Sequence, residues 1–124
     1  MTGTRVEKGR AGELLAVSFL EARGVEILTR NFRCPIGEID IVARDGATIV
    51  FVEVRSRSGK SHGLPQESVS YLKQRRLTRL AQWYLKKYRL ERQSARFDVI
   101  AVTLETGGGA PGLRWIPNAF EARE

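Results

Sequence analysis

The chain of 124 residues predicts an α/β fold. Two short runs alternate in side-chain character as half-buried strands do: Gly37-Glu38-Ile39-Asp40-Ile41-Val42-Ala43-Arg44 and Ile49-Val50-Phe51-Val52-Glu53-Val54-Arg55. Both are rich in β-branched residues, and Asp45-Gly46 between them is a hairpin signal. Helical patterns precede and follow this hairpin. A further β-branched run completes the order helix, strand, hairpin, helix, strand.

Met1 to Thr4 are expected to be loose. A first helix covers roughly Arg5 to Arg23 and ends at Gly24, which suits a left-handed cap. Its apolar residues include Ala16, Val17, Phe19 and Leu20, and Glu13 is in line with Val17 and Leu20. A carboxylate on that line reaches the sheet; the alternative is a solvated acid paired with Arg10 one turn earlier. Val25 to Arg33 reads as a strand and Cys34 to Gly37 as a connector. After the hairpin, Ser56 to Pro65 reads as a polar loop. Its cations, Arg57 and Lys60, suit either phosphate contact or plain solubility.

Pro65 opens a long helix, about Gln66 to Tyr88, with Val69, Leu77, Leu80, Ala81, Tyr84 and Tyr88 as its apolar stripe. Lys73 falls inside that stripe, so its ammonium either snorkels out or points at the strand carboxylates. Arg75 and Arg79 lie on the outer side with Lys86 and Arg89, as a solvated surface or a phosphate track. Phe97 to Leu104 is a further strand, with Asp98 near its start. Leu113 to Ile116 is a short edge strand, and residues 117–124 are a loose end. No repeat or linker interrupts this order, so residues 1–124 are expected to form one domain.

Hairpin parity decides the chemistry. With Gly46 and Ala47 as the loop, Asp40 lies opposite Glu53 and Glu38 opposite Arg55. With Asp45-Gly46 as the loop, Asp40 is diagonal to Glu53. Either way the two carboxylates share a face, and Ile39, Ile41, Ala43, Val50, Val52 and Val54 form the other, a core face. Opposed like charges destabilise a sheet. A shared Mg²⁺ is one remedy, since it takes one or two carboxylates and keeps its other positions for water and substrate phosphate. Such an ion polarises a phosphoryl oxygen and lowers the pKa of bound water. The competing reading is a solvated strand face with a Glu38–Arg55 cross-strand ion pair.

Net charge is +7 and the pI is ≈ 10.2, which suggests an anionic partner without identifying it. The single Cys34 excludes an internal disulfide and suits a reducing compartment. His62 is the only histidine, which excludes a multi-histidine metal site within one chain. No signal-peptide pattern precedes the first helix, and no apolar run approaches membrane-spanning length. A cytoplasmic protein with no membrane partner is expected.

Several stretches spread over most of the chain carry a family resemblance. They are Gly9-Arg10-Ala11-Gly12-Glu13, Arg30-Asn31-Phe32-Arg33, Gly37-Glu38-Ile39-Asp40, Val50-Phe51-Val52-Glu53-Val54-Arg55, Lys73-Gln74-Arg75-Arg76-Leu77 and Arg96-Phe97-Asp98-Val99. Together they resemble the bacterial YraN family of predicted nucleases, within the restriction-endonuclease-like superfamily. The chain is also similar to the archaeal Holliday-junction resolvases. The resemblance implies a restriction-endonuclease-like central mixed β-sheet flanked by helices, and metal-dependent phosphodiester cleavage. It implies Asp40 and Glu53 as ligands of Mg²⁺ or Mn²⁺, with Glu13 as a further ligand, direct or through water.

Arg55 falls where the superfamily motif usually has lysine. Arginine does not lose its proton, so Arg55 can orient water or stabilise phosphoryl charge but is a poor general base. Lys73 is placed to supply an amine from the helix instead. The expected function is a divalent-metal-dependent DNA endonuclease selective for branched or otherwise structured DNA. Arg57, Lys60, Arg75 and Arg79 would contact phosphates, and a symmetric homodimer would address two strands of a junction. The alternative is a non-catalytic nucleic-acid-binding or protein-binding module on the same fold.

Overall fold

The computed structural model of the chain describes residues 5–58, 69–104 and 112–123. Within them α1 spans Arg5–Ala22, β1 Glu26–Cys34, β2 Gly37–Asp45, β3 Thr48–Ser58, α2 Tyr71–Lys87, β4 Ser94–Leu104 and β5 Gly112–Phe120. The strands form one five-stranded sheet in the order β1-β2-β3-β4-β5. β3 and β4 run parallel, a pairing that needs a crossover, and α2 lies in that connection. The other neighbours are antiparallel. This mixed sheet between helices fits a restriction-endonuclease-like fold.

Helices cover both faces of the sheet, so both faces are apolar. α1 buries Ala16 and Leu20 against Ile41, Ala43, Val50, Val52, Ile100 and Val102. α2 buries Leu77, Leu80, Ala81 and Tyr84 against Phe32, Ile39, Val42, Phe51, Phe97 and Val99. Each large side chain so buried contributes roughly 1.5–3 kcal/mol. One close approach seats α1: a methyl group added to Gly12 would collide with the Ser56 hydroxyl and lie 3.8 Å from Val102 Cβ. From Gly9 onward, Gly12, Glu13, Ala16 and Leu20 are the buried residues of this helix, so the same contact carries Glu13 inward.

The hairpin turns at Gly46-Ala47. Asp45 pairs with Thr48, and Gly46 takes φ 60°, as the first position of a type II′ turn requires. Pairing then runs to Ile41↔Val52 and ends. Beyond that pair, β1 and β2 change face together. Ile41 packs in the α1 layer and its partner Arg30 reaches Glu13 of α1, whereas the next pair, Phe32 and Ile39, packs in the α2 layer. Residues two apart on a regular strand share a face, so the strands swivel at Asn31 and Asp40. Asn31 has φ 54°, a left-handed conformation that Asn tolerates better than most residues. Ile39 therefore leaves the face that strict alternation gives it alongside Ile41.

Other boundaries differ from expectation for physical reasons. The second helix begins at Tyr71, because Ser70 is extended and caps it, its Oγ accepting from the Lys73 amide at 3.2 Å. Met1 to Thr4, Pro65 and Gln66 lie outside the described residues. Ser56 to Ser58 continue β3 instead of opening a loop, because β4 pairs with them in parallel as far as Leu104. Residues 117–120 are not loose but end β5. The Asn118 amide donates to Asp98 at 2.8 Å, and Phe120 stacks on Phe97 with centroids 4.9 Å apart. Asp98 is fully buried and also accepts from Trp115 Nε1 at 2.9 Å and Arg96 Nε at 3.0 Å. It is a fully paired structural acid that ties β5 to β4.

The swivel makes a direct prediction. Asn31→Gly should leave stability within about 0.5 kcal/mol, whereas Asn31→Val should cost roughly 1–2 kcal/mol, because a β-branched residue resists a positive φ. Denaturant midpoints read the difference. A valine variant as stable as the parent would show that the strands do not need this conformation.

Candidate metal centre

Asp40 sits where β2 parts from β3. The Val54 amide donates to Asp40 Oδ2 at 2.9 Å, just beyond the last backbone pair of the two strands. A side-chain oxygen thus satisfies a strand amide that a ladder would otherwise use. The bond fixes the carboxylate at the mouth of the opening.

Glu53 follows on β3 and is only 7% exposed. Val52 and Val54 on either side of it pack in the α1 layer, so alternation sends Glu53 toward α2. There Lys73 Nζ lies 3.1 Å from Glu53 Oε1, and Arg55 Nε lies 4.0 Å from the same oxygen. Of the two courses open to Lys73, the inward one is taken, from the first turn of α2.

Glu13 comes from the opposite layer. It is 9% exposed, and its buried Oε1 lies 3.6 Å from Arg30 Nη2 with no hydrogen bond. Its ion partner is therefore Arg30 across the layer, not Arg10 on its own helix. Glu38 pairs with Arg33 at 3.2 Å, not with Arg55. Arg30 was not singled out from the sequence, although it lies in the Arg30-Asn31-Phe32-Arg33 run. Alternation puts Arg30 and Phe32 on one face, and only the swivel separates them. Arg75 is half-buried and Arg79 exposed on α2. Arg57 falls at the end of β3; its side chain and Lys60 lie outside the described residues.

The Asp40 carboxyl is pushed up from 3.8 to about 7. Burial is the main cause and the charge of Glu53 the next; the Val54 hydrogen bond opposes them, Glu13 adds a smaller push and Lys73 a smaller pull. Arg30, Lys73 and Arg55 lie by Glu13 and Glu53, so burial and the neighbouring carboxylates, not a want of cations, disfavour the Asp40 charge, while Glu13 Oε1 still accepts no hydrogen bond. An all-carboxylate donor set of this kind fits a hard divalent cation. Among the described residues, no three such groups converge closely enough to ring an ion as they stand. Glu53 is turned onto Lys73, so a cation would have to draw it away.

The family described as Uncharacterised protein family UPF0102 matches residues 12–102. The chain belongs to this family, the YraN group. The UPF0102 protein of Moorella thermoacetica is 50% identical over 120 residues, covering 97% of this chain and 100% of the relative. That of Syntrophotalea carbinolica is 49% identical over 121 residues, covering 98% and 97%. That of Geobacter metallireducens is 52% identical over 113 residues, covering 91% of each. The UPF0102 match begins at the glycine that seats α1 and takes in Glu13, Asp40, Glu53, Arg55 and Lys73. Among the described residues no helix is long and apolar enough to cross a membrane.

The raised Asp40 pKa predicts a pH-dependent stability in the cation-free protein. The folded state holds the Asp40 proton more tightly than the unfolded chain. The stability this confers is complete below the ordinary value of 3.8 and is lost as pH rises through about 7. Asp40→Asn keeps an acceptor for the Val54 amide and never ionises. In EDTA it should be more stable than the parent by roughly 2–4 kcal/mol at about pH 8 and by far less near about pH 4. Denaturant midpoints at both pH values check this; an equal gap at both would remove the charge explanation.

Proposed function

We propose that the chain is a divalent-metal-dependent DNA endonuclease, a phosphodiester hydrolase that uses Mg²⁺ or Mn²⁺ on branched or otherwise structured DNA. One observation carries this reading. Glu53 of β3 and Glu13 of α1 both act on the charge of half-buried Asp40 of β2, with Lys73 and Arg55 beside Glu53. The family resemblance given above supports it.

Asp40 and Glu53 would hold the ion, with Glu13 joining directly or through water. When bound, the ion polarises a phosphoryl oxygen and lowers the pKa of its water. The chain's own side chains supply the rest. The Arg55 guanidinium stabilises negative charge on the phosphoryl oxygens. Lys73 Nζ, released from Glu53, is the amine able to take or give a proton, a role closed to Arg55. The net charge of +7 draws DNA to the molecule, with Arg57, Lys60, Arg75 and Arg79 on phosphates. Cleavage of a junction on two strands calls for a symmetric homodimer.

The binding-only alternative has one observation in its favour: the Lys73–Glu53 pair already neutralises one carboxylate without a metal. A cleavage assay separates the two. With Mg²⁺ or Mn²⁺ the protein should cut at least one of linear, single-stranded, flap and four-way DNA, and none with a chelator. Asp40→Asn and Glu53→Gln should each lower the rate by about 100-fold or more with the fold intact. Undiminished cleavage by both variants would remove the assigned ligands. Lys73→Met should cut turnover by about 100-fold at nearly unchanged DNA affinity. Full activity in the folded Lys73→Met protein would exclude Lys73 from the chemistry and leave the cationic role there to Arg55.

A further inference from the structure

α2 carries a second feature on its outer flank. Leu72, Arg76, Arg79, Trp83, Lys86 and Lys87 recur at helical spacings, so they share one side of the helix. That side faces the turn between β1 and β2, where Ile36 protrudes. Two recesses, of ≈ 440 and ≈ 530 Å³, lie between the helix and this turn. Ile36 and Arg79 line both, so the two join into one groove.

The charge in the groove has one sign. Arg75, Arg76, Arg79, Lys86 and Lys87 line it, and no carboxylate does. Among the described residues none of these cations is in a salt bridge. The floor is nevertheless apolar: Trp83 is left 43% exposed, Ile36 41% and Leu72 73%. A surface built only to track phosphates has no use for an exposed indole. A surface built to dock an apolar protein face has no use for a row of cations without carboxylate partners. An unpaired nucleic-acid strand uses both, with phosphates on the cations and a base on the aromatic ring. Duplex bases are stacked on each other and cannot reach the ring. Leu72, Arg75 and Arg76 line the groove on either side of Lys73 in the chain, and Trp83 lies about 15 Å from Lys73 along the helix at its rise per residue.

We infer that this groove holds an unpaired DNA strand leaving the metal centre along α2, with Trp83 stacked on a base and Arg76, Arg79 and Lys86 on phosphates. The inference rests on the endonuclease reading and narrows its substrate to DNA with a single-stranded arm beside the scissile bond, as in a flap or fork. The test is binding of the full chain, in EDTA, to labelled oligothymidylate, to an abasic strand of equal length, and to a blunt duplex.

The intact protein should bind oligothymidylate about tenfold more tightly than the abasic strand, which keeps the phosphates and lacks the bases. Trp83→Ala should remove that preference and leave duplex affinity within about twofold, and Trp83→Phe should restore most of it. Equal binding of the thymidylate and abasic strands by the intact protein would overturn the inference, whatever the variants do. So would an unchanged thymidylate preference in Trp83→Ala. In either case duplex binding and metal-dependent cleavage would survive, and the endonuclease reading with them. No binding to any of the three DNAs would overturn both.

Discussion

The hydrogen bond from the Val54 amide to Asp40 Oδ2 is the contact on which the rest of the site depends. A strand amide left without an acceptor in a buried place costs about 1–3 kcal/mol, so β3 must find one. Where a carbonyl of β2 would serve in a longer ladder, the carboxylate of Asp40 does. The backbones are free to part there, and β1 and β2 swivel through Asn31 and Asp40. That swivel sends Arg30 to the α1 layer, where it meets Glu13, and Phe32 to the α2 layer, where its ring meets Tyr84 edge-on. Residues from both layers are gathered at one point of the sheet.

The gathering has an electrostatic cost that the two cores offset. Asp40 is half-buried beside Glu53, and the loss of solvent and that charge hold its proton tightly. Lys73 acts as a tethered cation that partly neutralises Glu53, and the Ser70 cap starts α2 where this lysine can reach inward. A divalent ion would replace that single charge with two and relieve Asp40 as well. The same helix turns Lys73 toward the carboxylates and its arginines, lysines and Trp83 toward the outer groove. Chemistry and substrate path would then lie on two sides of one element.

Much of this was legible in the sequence, and the parts that were not have identifiable physical causes. The Gly46-Ala47 turn is one of the two loops that the local signals left open, and alternation along the strands anticipated that Asp40 lies within reach of the Glu53 charge. Lys73 stood out because a cation interrupted an apolar stripe. Ile39 and Arg30 were misread or missed because alternation assumes a regular strand, and the swivel breaks it between Asn31 and Phe32. Pro65 was read as the helix start, whereas the Ser70 side chain accepts from the Lys73 amide and caps α2. Pro117 and Asn118 read as breakers, yet buried Asp98 supplies a distant partner that keeps them in β5. The Ser70 cap is local, but the β5 end comes from a contact between residues far apart in the chain. The Trp83 groove likewise needs Ile36, which no helical pattern could bring beside it.

The central claim is that the opening at Asp40 assembles a cation site from two layers. The most direct measurement is anomalous scattering from crystals of the full chain grown with Mn²⁺. The expected result is one manganese peak bounded by the carboxylates of Asp40 and Glu53, with Glu13 facing it and Lys73 withdrawn from Glu53. Lys73 still on Glu53, with manganese absent from the opening or bound only elsewhere, would contradict the assignment.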